Sequence, residues 1–320
     1  MTGLNVGHVG IAGEVRCIVK RKDGSVKEDT GFQKNLILNQ GLDFFGGGKG
    51  SDIFYRCVIG SGNSNPLITQ TQLDSFLAIT SGVEHSSKYN YVPDSSNLYK
   101  TNKVFKYTFS GLSSVNVSEV GLVSQGTTSS NYYLCTRALL KDIAGLPTTI
   151  TILSGEVLEV YYKVWRVVST LDATYVVNML DGKGGSVPYN CIVRPLRLGN
   201  DIWNNTTGRC ISAFTLLAGT LSELSNLTSP VSGIGLLSAT PSLSTYVQGS
   251  YKINESFYID ITKANDGIRV IESSQSPGFV ITQSQIRFGS VTGDNPIPKT
   301  NLQTLTIPLE FSWGRYEGEL

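Results

Sequence analysis

Residues 117–168 read VSEVGLVSQGTTSSNYYLCTRALLKDIAGLPTTITILSGEVLEVYYKVWRVV and contain a short apolar run at residues 120–123, followed by two runs, residues 132–143 and 150–168, in which residue character alternates. A period of two in residues rich in Val, Tyr, Trp and Thr is typical of β-strands, so the stretch predicts three successive strands. In the last run, alternation separates two faces: Val157, Glu159, Tyr161, Lys163 and Trp165 on one, Leu158, Val160, Tyr162, Val164 and Arg166 on the other. Because Lys163 lies among aromatic residues, its face is predicted to be partly buried, and the Leu158 face is predicted to line the core.

A similar pattern recurs near residue 313, where the sequence KTNLQTLTIPLEFSWGRYE places Trp313 in the position that Trp165 has in the first stretch. This similarity predicts an internal duplication with two domains, residues 1–180 and 186–320, joined at the Gly-rich segment DGKGG. If the face of Trp313 is partly exposed like that of Trp165, the apolar residues Leu305, Ile307 and Leu309 reach the core only through a β-bulge at Pro308, and we therefore expect one.

The remaining segments predict an all-β fold, with two tandem domains of the β-sandwich or jelly-roll type. Residues 14–22 alternate and are followed by Lys22-Asp23-Gly24-Ser25, which is typical of a hairpin turn. Apolar residues spaced by four and three predict a short helix near residues 34–45, which the glycines from Gly46 onward end. A helical turn over residues 69–78 and a helix over residues 213–227 are the other helical predictions.

Composition excludes several classes of function. The 320 residues are 16% charged with a net charge of +1, whereas proteins dedicated to nucleic-acid binding usually present a strongly basic surface. The apolar runs are shorter than the roughly 20 residues of a membrane-spanning helix, so no membrane span is predicted. The first residues lack the organisation of a secretory signal, which indicates synthesis in the cytosol.

The cysteines are five in number, an odd set without a CxxC motif: Cys17, Cys57, Cys135, Cys191 and Cys210. Free, buried thiols are the favoured interpretation. A disulfide within or between subunits stays open, because a protein made in the cytosol can oxidise after release.

No catalytic, cofactor-binding or metal-binding residue is assigned from the sequence, and the chain is predicted not to be an enzyme. His8 and His85 are the two histidines, and neither belongs to a recognised catalytic or metal motif, so both are interpreted as surface residues. The segment GGGKG fails the spacing of a phosphate-binding loop. The acidic candidates are Glu119, Glu156 and Glu159; the last two are interpreted as solvated residues on a strand face.

Several motifs in one order carry a resemblance. They are GFQKNLILNQGLDFF, then CVIGSGNSNPLITQTQLDSFLA, then VSEVGLVSQ with CTRALL and LSGEVLEVYYKVW, which together cover about residues 13–168. This order resembles structural proteins of tailed bacteriophage virions, a group that includes collar, neck, tail-fibre and baseplate components.

The resemblance implies a non-enzymatic component of a phage particle, in the neck, the collar or a tail-associated position, made in the host cytoplasm and located in the virion. Its partners would be copies of itself in a homo-oligomer and other virion proteins. The alternative is a tail-fibre or baseplate protein that binds or cleaves host surface glycans, with the Tyr-rich segment 89–99 as the sugar platform.

Overall fold

The computed structural model describes residues 3–47, 54–88, 97–181, 183–196, 216–219, 235–237, 240–243, 245–263, 265, 267–273 and 283–320. Within these ranges the chain forms strands and one helix, and the all-β fold class is confirmed. The elements are β1 (Leu4–Lys20), β2 (Val26–Asp29), β3 (Gln33–Lys34), β4 (Leu36–Ile37), α1 (Asn39–Gly47), β5 (Arg56–Gly60), β6 (Phe76–Lys88), β7 (Leu98–Phe109), β8 (Val115–Val117), β9 (Glu119–Thr128), β10 (Asn131–Leu134), β11 (Thr136–Leu139), β12 (Ile150–Ile152), β13 (Val157–Ser169), β14 (Ala173–Leu180), β15 (Ser186–Leu196), β16 (Leu216–Gly219), β17 (Gly235–Leu237), β18 (Thr240–Leu243), β19 (Lys252–Ile259), β20 (Val270–Ser273), β21 (Gln283–Ser290) and β22 (Leu305–Arg315).

The largest sheet has the strand order β18-β19-β22-β1-β13-β7-β6-β5-β9-β11-β4, with β2, β3 and β10 attached beside this path. Residues 33–37 bring its two halves together, because β3 pairs with β1 whereas β4 pairs with β11. The strands from β1 to β11 therefore close into a ring. On the side opposite β13, the long strand β1 pairs in turn with β22, β3 and β2.

A second sheet of six strands, in the order β14-β15-β21-β20-β16-β17, lies against the first. The hydroxyl of Ser284 on β21 donates a hydrogen bond of 2.9 Å to the carbonyl of Val6 on β1. Tyr189 and Cys191 of β15 are buried in the same apolar cluster as Val15 and Tyr162 of the ring. One core thus connects both sheets.

The three helical predictions have different outcomes. The predicted helix near residues 34–45 exists, but it spans Asn39–Gly47, because residues 33–37 pair with β1 and β11 and cannot be helical at the same time. The helical turn over residues 69–78 is wrong: this segment is a loop that leads into β6. The helix over residues 213–227 is wrong at residues 216–219, which form β16 between β17 and β20, and its other residues lie outside the described ones.

Strand β13 confirms the two predicted faces. Leu158, Val160, Tyr162 and Val164 are buried, whereas Tyr161, Lys163 and Trp165 are partly exposed. The Lys163 ammonium lies 3.8 Å from the centroid of the Phe32 ring, as expected for a lysine whose stem follows aromatic surface.

The bulge at Pro308 is a wrong prediction. Strand β22 pairs with β19 in continuous register from Leu305 to Ser312, with Pro308 opposite Ser256. Ile307, Leu309 and Trp313 are all buried and share one face, so the premise that Trp313 lies on a partly exposed face was wrong. The two tryptophans therefore lie in different environments.

The strand pairing does not confirm two tandem domains. Strand β22 runs parallel to β1, whereas β13 runs antiparallel to β1 on its other side. The segment predicted as a linker is the turn of the β14–β15 hairpin, in which Asp181 Oδ1 accepts bonds from the amides of Lys183 and Gly185. The division at residues 180–186 stays a prediction.

Candidate functional site

The most elaborate polar arrangement begins at Glu119, the first residue of β9. It is fully buried, and it lies opposite Gly60 on β5 and Leu139 on β11. Its Oε1 accepts hydrogen bonds of 2.9 Å from the amides of Gly62 and Ser75. A carboxylate in this position holds both ends of the loop at residues 61–75 against the sheet.

Arg137 on β11 provides the opposite charge. Its side chain is fully buried, and its Nε donates a hydrogen bond of 2.8 Å to Oε2 of Glu119. The two terminal nitrogens reach the loop: Nη2 contacts Oδ2 of Asp74 at 2.7 Å, and Nη1 donates to Oε1 of Gln70 at 2.9 Å. We call Glu119, Arg137, Asp74, Gln70 and Gly62 the loop cluster.

Glycine is required where the loop approaches the carboxylate. A Cβ added to Gly60 or Gly62 would overlap the side chain of Glu119. The Ser118 hydroxyl also donates a bond of 2.8 Å to the carbonyl of Gly62. The Gly-Ser-Gly sequence at positions 60–62 is therefore explained by close packing of backbone on a buried carboxylate.

Asp74 lies at the solvent side of the loop cluster, with 30% of its side chain exposed. Burial raises the pKa of this carboxyl, but hydrogen bonds from Ser64 and the charge of Arg137 outweigh that effect, and the pKa is lowered overall. The carboxylate therefore stays ionised at neutral pH. The two buried charged side chains, Glu119 and Arg137, both form hydrogen bonds to the loop. The arrangement of the cluster therefore serves to hold the loop in place.

The other two acidic candidates are not solvated, so that interpretation was wrong. The Glu159 side chain is 8% exposed and lies between the ammonium groups of Lys106 and Lys20, at 2.7 Å and 3.0 Å. Burial raises the pKa of Glu159, but bonds from Lys106, Lys20 and Tyr161 lower it to about 2. Glu156, with a side chain 10% exposed, pairs with Lys27 at 2.7 Å.

The structure places His8 on β1 as an exposed residue, as predicted, and brings it next to Ser312 on β22. The His8 Nδ1 and the Ser312 Oγ are 3.0 Å apart. Partial desolvation of the ring lowers the pKa of His8, which favours the neutral imidazole. No sequence pattern predicted this contact, because it depends on the pairing of two strands that are far apart in the chain.

His8 borders a cavity of about 240 Å³ between β1, the end of β13 and the β14–β15 hairpin. Asn5, Asp172 and Tyr175 also line it. Asp172 forms a bidentate ion pair with Arg194, with both contacts at 2.7 Å. The lining of the cavity is thus mostly apolar, and its one carboxylate, that of Asp172, is already paired with Arg194.

The remaining sequence candidates add no further site. His85 lies on β6, and its side chain is outside the described residues, as is the Tyr-rich segment up to residue 96; Tyr99 is buried. Four cysteines (Cys17, Cys57, Cys135 and Cys191) are free and buried, which confirms the interpretation for them, and Cys210 is not among the described residues. Across the described ranges, no three His, Cys, Asp or Glu side chains are grouped as a metal site would need. The described helix is too short to cross a membrane.

Sequence reasoning placed Glu119 on a strand and Gly60–Asn65 in a loop, but it did not predict that they meet at Arg137. The signal was present, since all three lie in the motifs that carry the resemblance. Comparison with known proteins adds no assignment: no family model, curated protein or solved structure matches the chain.

Proposed function

We propose that this protein is a non-enzymatic structural component of a tailed bacteriophage particle. It is made in the host cytoplasm and occupies a neck, collar or other tail-associated position. It acts by homo-oligomeric assembly and by docking onto other virion proteins. The observation that carries the proposal is the convergence of the resemblance motifs, the Gly-Ser-Gly loop, the Ser-Glu-Val-Gly-Leu strand and the Arg strand, in the loop cluster.

The role of the loop cluster fits assembly, because it makes a surface loop rigid. Leu67 and Ile68 lie in the fixed loop with 60% and 43% of their surface exposed. A rigid loop loses little conformational entropy on binding. Less of the free energy gained by burying its apolar side chains is therefore offset by the cost of ordering the loop. These two residues are proposed contacts to a neighbouring virion protein.

A second loop, at residues 141–147, has the same construction. Oδ1 of Asp142 accepts hydrogen bonds of 2.9 Å from the amides of Ala144 and Leu146. Ile143 is fully exposed, and Leu146 is 63% exposed. This loop too presents apolar side chains on a backbone that is held from within.

The experiment is an electron-microscopy map of the intact particle, combined with complementation by variants. We expect density for several symmetry-related copies, and we expect Leu67→Asp to reduce incorporation into particles. Leu302→Asp is the matched control, since Leu302 is 88% exposed and lies outside both loops. Absence of the protein from purified particles would refute the proposal.

A glycan array and a hydrolysis assay on host surface polysaccharide test the alternative. We expect neither binding nor cleavage. Saturable binding to one polysaccharide would replace the assembly role with receptor recognition.

A further inference from the structure

Strand β14 is an edge of the second sheet, and it lacks the features that normally protect an edge. It pairs with β15 on one side, and no described residue pairs with its other side. Its sequence, ATYVVNML, contains no charged residue, no proline and no glycine. Such a strand is a template for pairing with another strand.

Three other described edges are protected in ways that β14 is not. Strand β2 has three charged residues in four, β18 contains Pro241, and β17 is three residues long. Charges, proline and shortness are the usual means by which proteins prevent edge-to-edge association. Strand β14 is longer, at eight residues, and carries none of them.

The hydrogen-bonding groups that β14 leaves open can be assigned. The amide of Asp181 donates to the carbonyl of Gly185, which makes these two a hydrogen-bonded pair of the hairpin. Bonded and non-bonded pairs alternate along an antiparallel ladder, so Met179, Val177, Tyr175 and Ala173 bond to β15. The amides and carbonyls of Thr174, Val176, Asn178 and Leu180 therefore point away from the sheet.

We propose that β14 pairs antiparallel with β14 of a second copy of this chain, about a two-fold axis at Val177. In this register Val176 lies opposite Asn178 and Thr174 opposite Leu180, so all four outward residues are used and about eight backbone hydrogen bonds form. The pairing joins the second sheets of the two copies into one continuous sheet. It deepens the proposed assembly role and rests on it.

Charge and burial favour a second copy as the occupant. An uncharged strand meets no like charge when it pairs with itself, whereas a charged partner strand would gain no counter-ion here. Ala173, Val177 and Met179 already pack against the core on one face, and the axis continues that face into the copy. Val176 and Leu180 on the other face are 64% and 67% exposed in the single chain and become partly covered.

The first test is sedimentation velocity of the full chain from about 1 to about 100 µM, because mass action makes a dimer depend on concentration. We expect a reversible dimer that Val176→Lys weakens at least tenfold. Val247→Lys is the matched control, since Val247 is 68% exposed and lies outside the second sheet. A chain that stays monomeric, or a dimer that both variants affect equally, overturns the proposal.

The second test checks the register by oxidation, in a Cys210→Ser background. Residues on the axis form a non-hydrogen-bonded pair whose Cα atoms are about 4.5 Å apart, within the range of a disulfide. Val177→Cys should therefore cross-link two copies, while Val176→Cys, whose symmetry mate is diagonal, should cross-link poorly. Equal or reversed yields overturn the proposal. Location of the protein in the particle is a separate readout, so failure of this pairing is distinguishable from failure of the assembly role.

Discussion

Replacement of Arg137 by methionine tests whether the loop cluster fixes the loop at residues 61–75. Arg137 and Glu119 are both fully buried, so Arg137→Met leaves a carboxylate in the interior without its counter-charge. Removing one partner of a buried ion pair usually costs about 3–5 kcal/mol of folding free energy. We expect a loss of this size in equilibrium guanidinium unfolding of the full chain.

Arg16→Met is the matched control, because Arg16 pairs with Asp29 at a site where the two side chains are 35% and 32% exposed. Exposed pairs contribute about 0–1 kcal/mol, so the control should unfold almost like the parent protein. The double variant Arg137→Met with Glu119→Gln should cost less than the sum of the single changes, by about 0.5–3 kcal/mol, because the charge that was left unpaired is gone.

Hydrogen exchange locates the effect. The amides of Gly62 and Ser75 donate hydrogen bonds to Glu119. Relative to the parent protein, Arg137→Met should increase the exchange rate of these two amides more than that of the amides in the β1–β13 pair. If Arg137→Met costs no more than Arg16→Met and leaves these amides protected, the loop does not depend on the cluster, and the reasoning for a rigid docking loop fails.

Three further outcomes follow from buried groups. Burial raises the pKa of Glu255 to about 8. The contribution of Glu255 to the free energy of unfolding is therefore complete below about pH 4.5 and declines as the pH rises towards about 8. Glu255→Gln should remove this pH dependence from the unfolding free energy measured between these two pH values. Glu159 has the opposite pH dependence, because its pKa is lowered to about 2. Its contribution to the free energy of unfolding is present above about pH 4.5 and is lost as the pH falls towards about 2. Glu159→Gln should abolish this loss. Trp313→Ala should cost about 3–5 kcal/mol in unfolding free energy because Trp313 is buried and its Nε1 donates to the carbonyl of Leu42. Trp165→Ala, on a partly exposed face, should cost clearly less; equal losses would contradict the assigned faces.

Local pattern predicted what depends on one strand. The alternation in β13 indicated its two faces, because successive side chains of a strand point to opposite sides. Its extent was not indicated: the last of the three predicted strands, residues 150–168, is divided into β12 and β13 by a turn at residues 153–156. The environment of Trp313 was mispredicted because it was inferred from the analogy with Trp165. The alternation within β22 itself places Leu305, Ile307, Leu309, Phe311 and Trp313 on one face opposite Thr306, Glu310 and Ser312, which indicates that the Trp313 face meets the core.

Features that depend on pairing between distant segments were missed. The helix near residues 34–45 begins later than expected because residues 33–37 are bound to β1 and β11, and this tertiary pairing outweighs local helical preference. Glu119 meets Arg137 because β9 pairs with β11 with Leu139 opposite Glu119, a register that the sequence does not state. Glu159 was interpreted as solvated because the cover by Lys20 and Lys106 comes from two other strands.

The parallel pairing of β1 with β22 has a consequence for the order in which the chain folds. His8 and Ser312 meet across 304 residues of chain, and the entropy of closing such a loop costs about 5 kcal/mol by polymer statistics. The pairs β1–β13, β13–β7 and β5–β9 are complete by residue 169, so the ring can form while later residues are still being translated. Until residues 309–315 have been synthesised, the backbone groups on one side of residues 4–11 of β1 lack their partner strand. A nascent chain stalled in between would present that side to other nascent chains, so the rate of synthesis over the second half sets how long this edge is exposed.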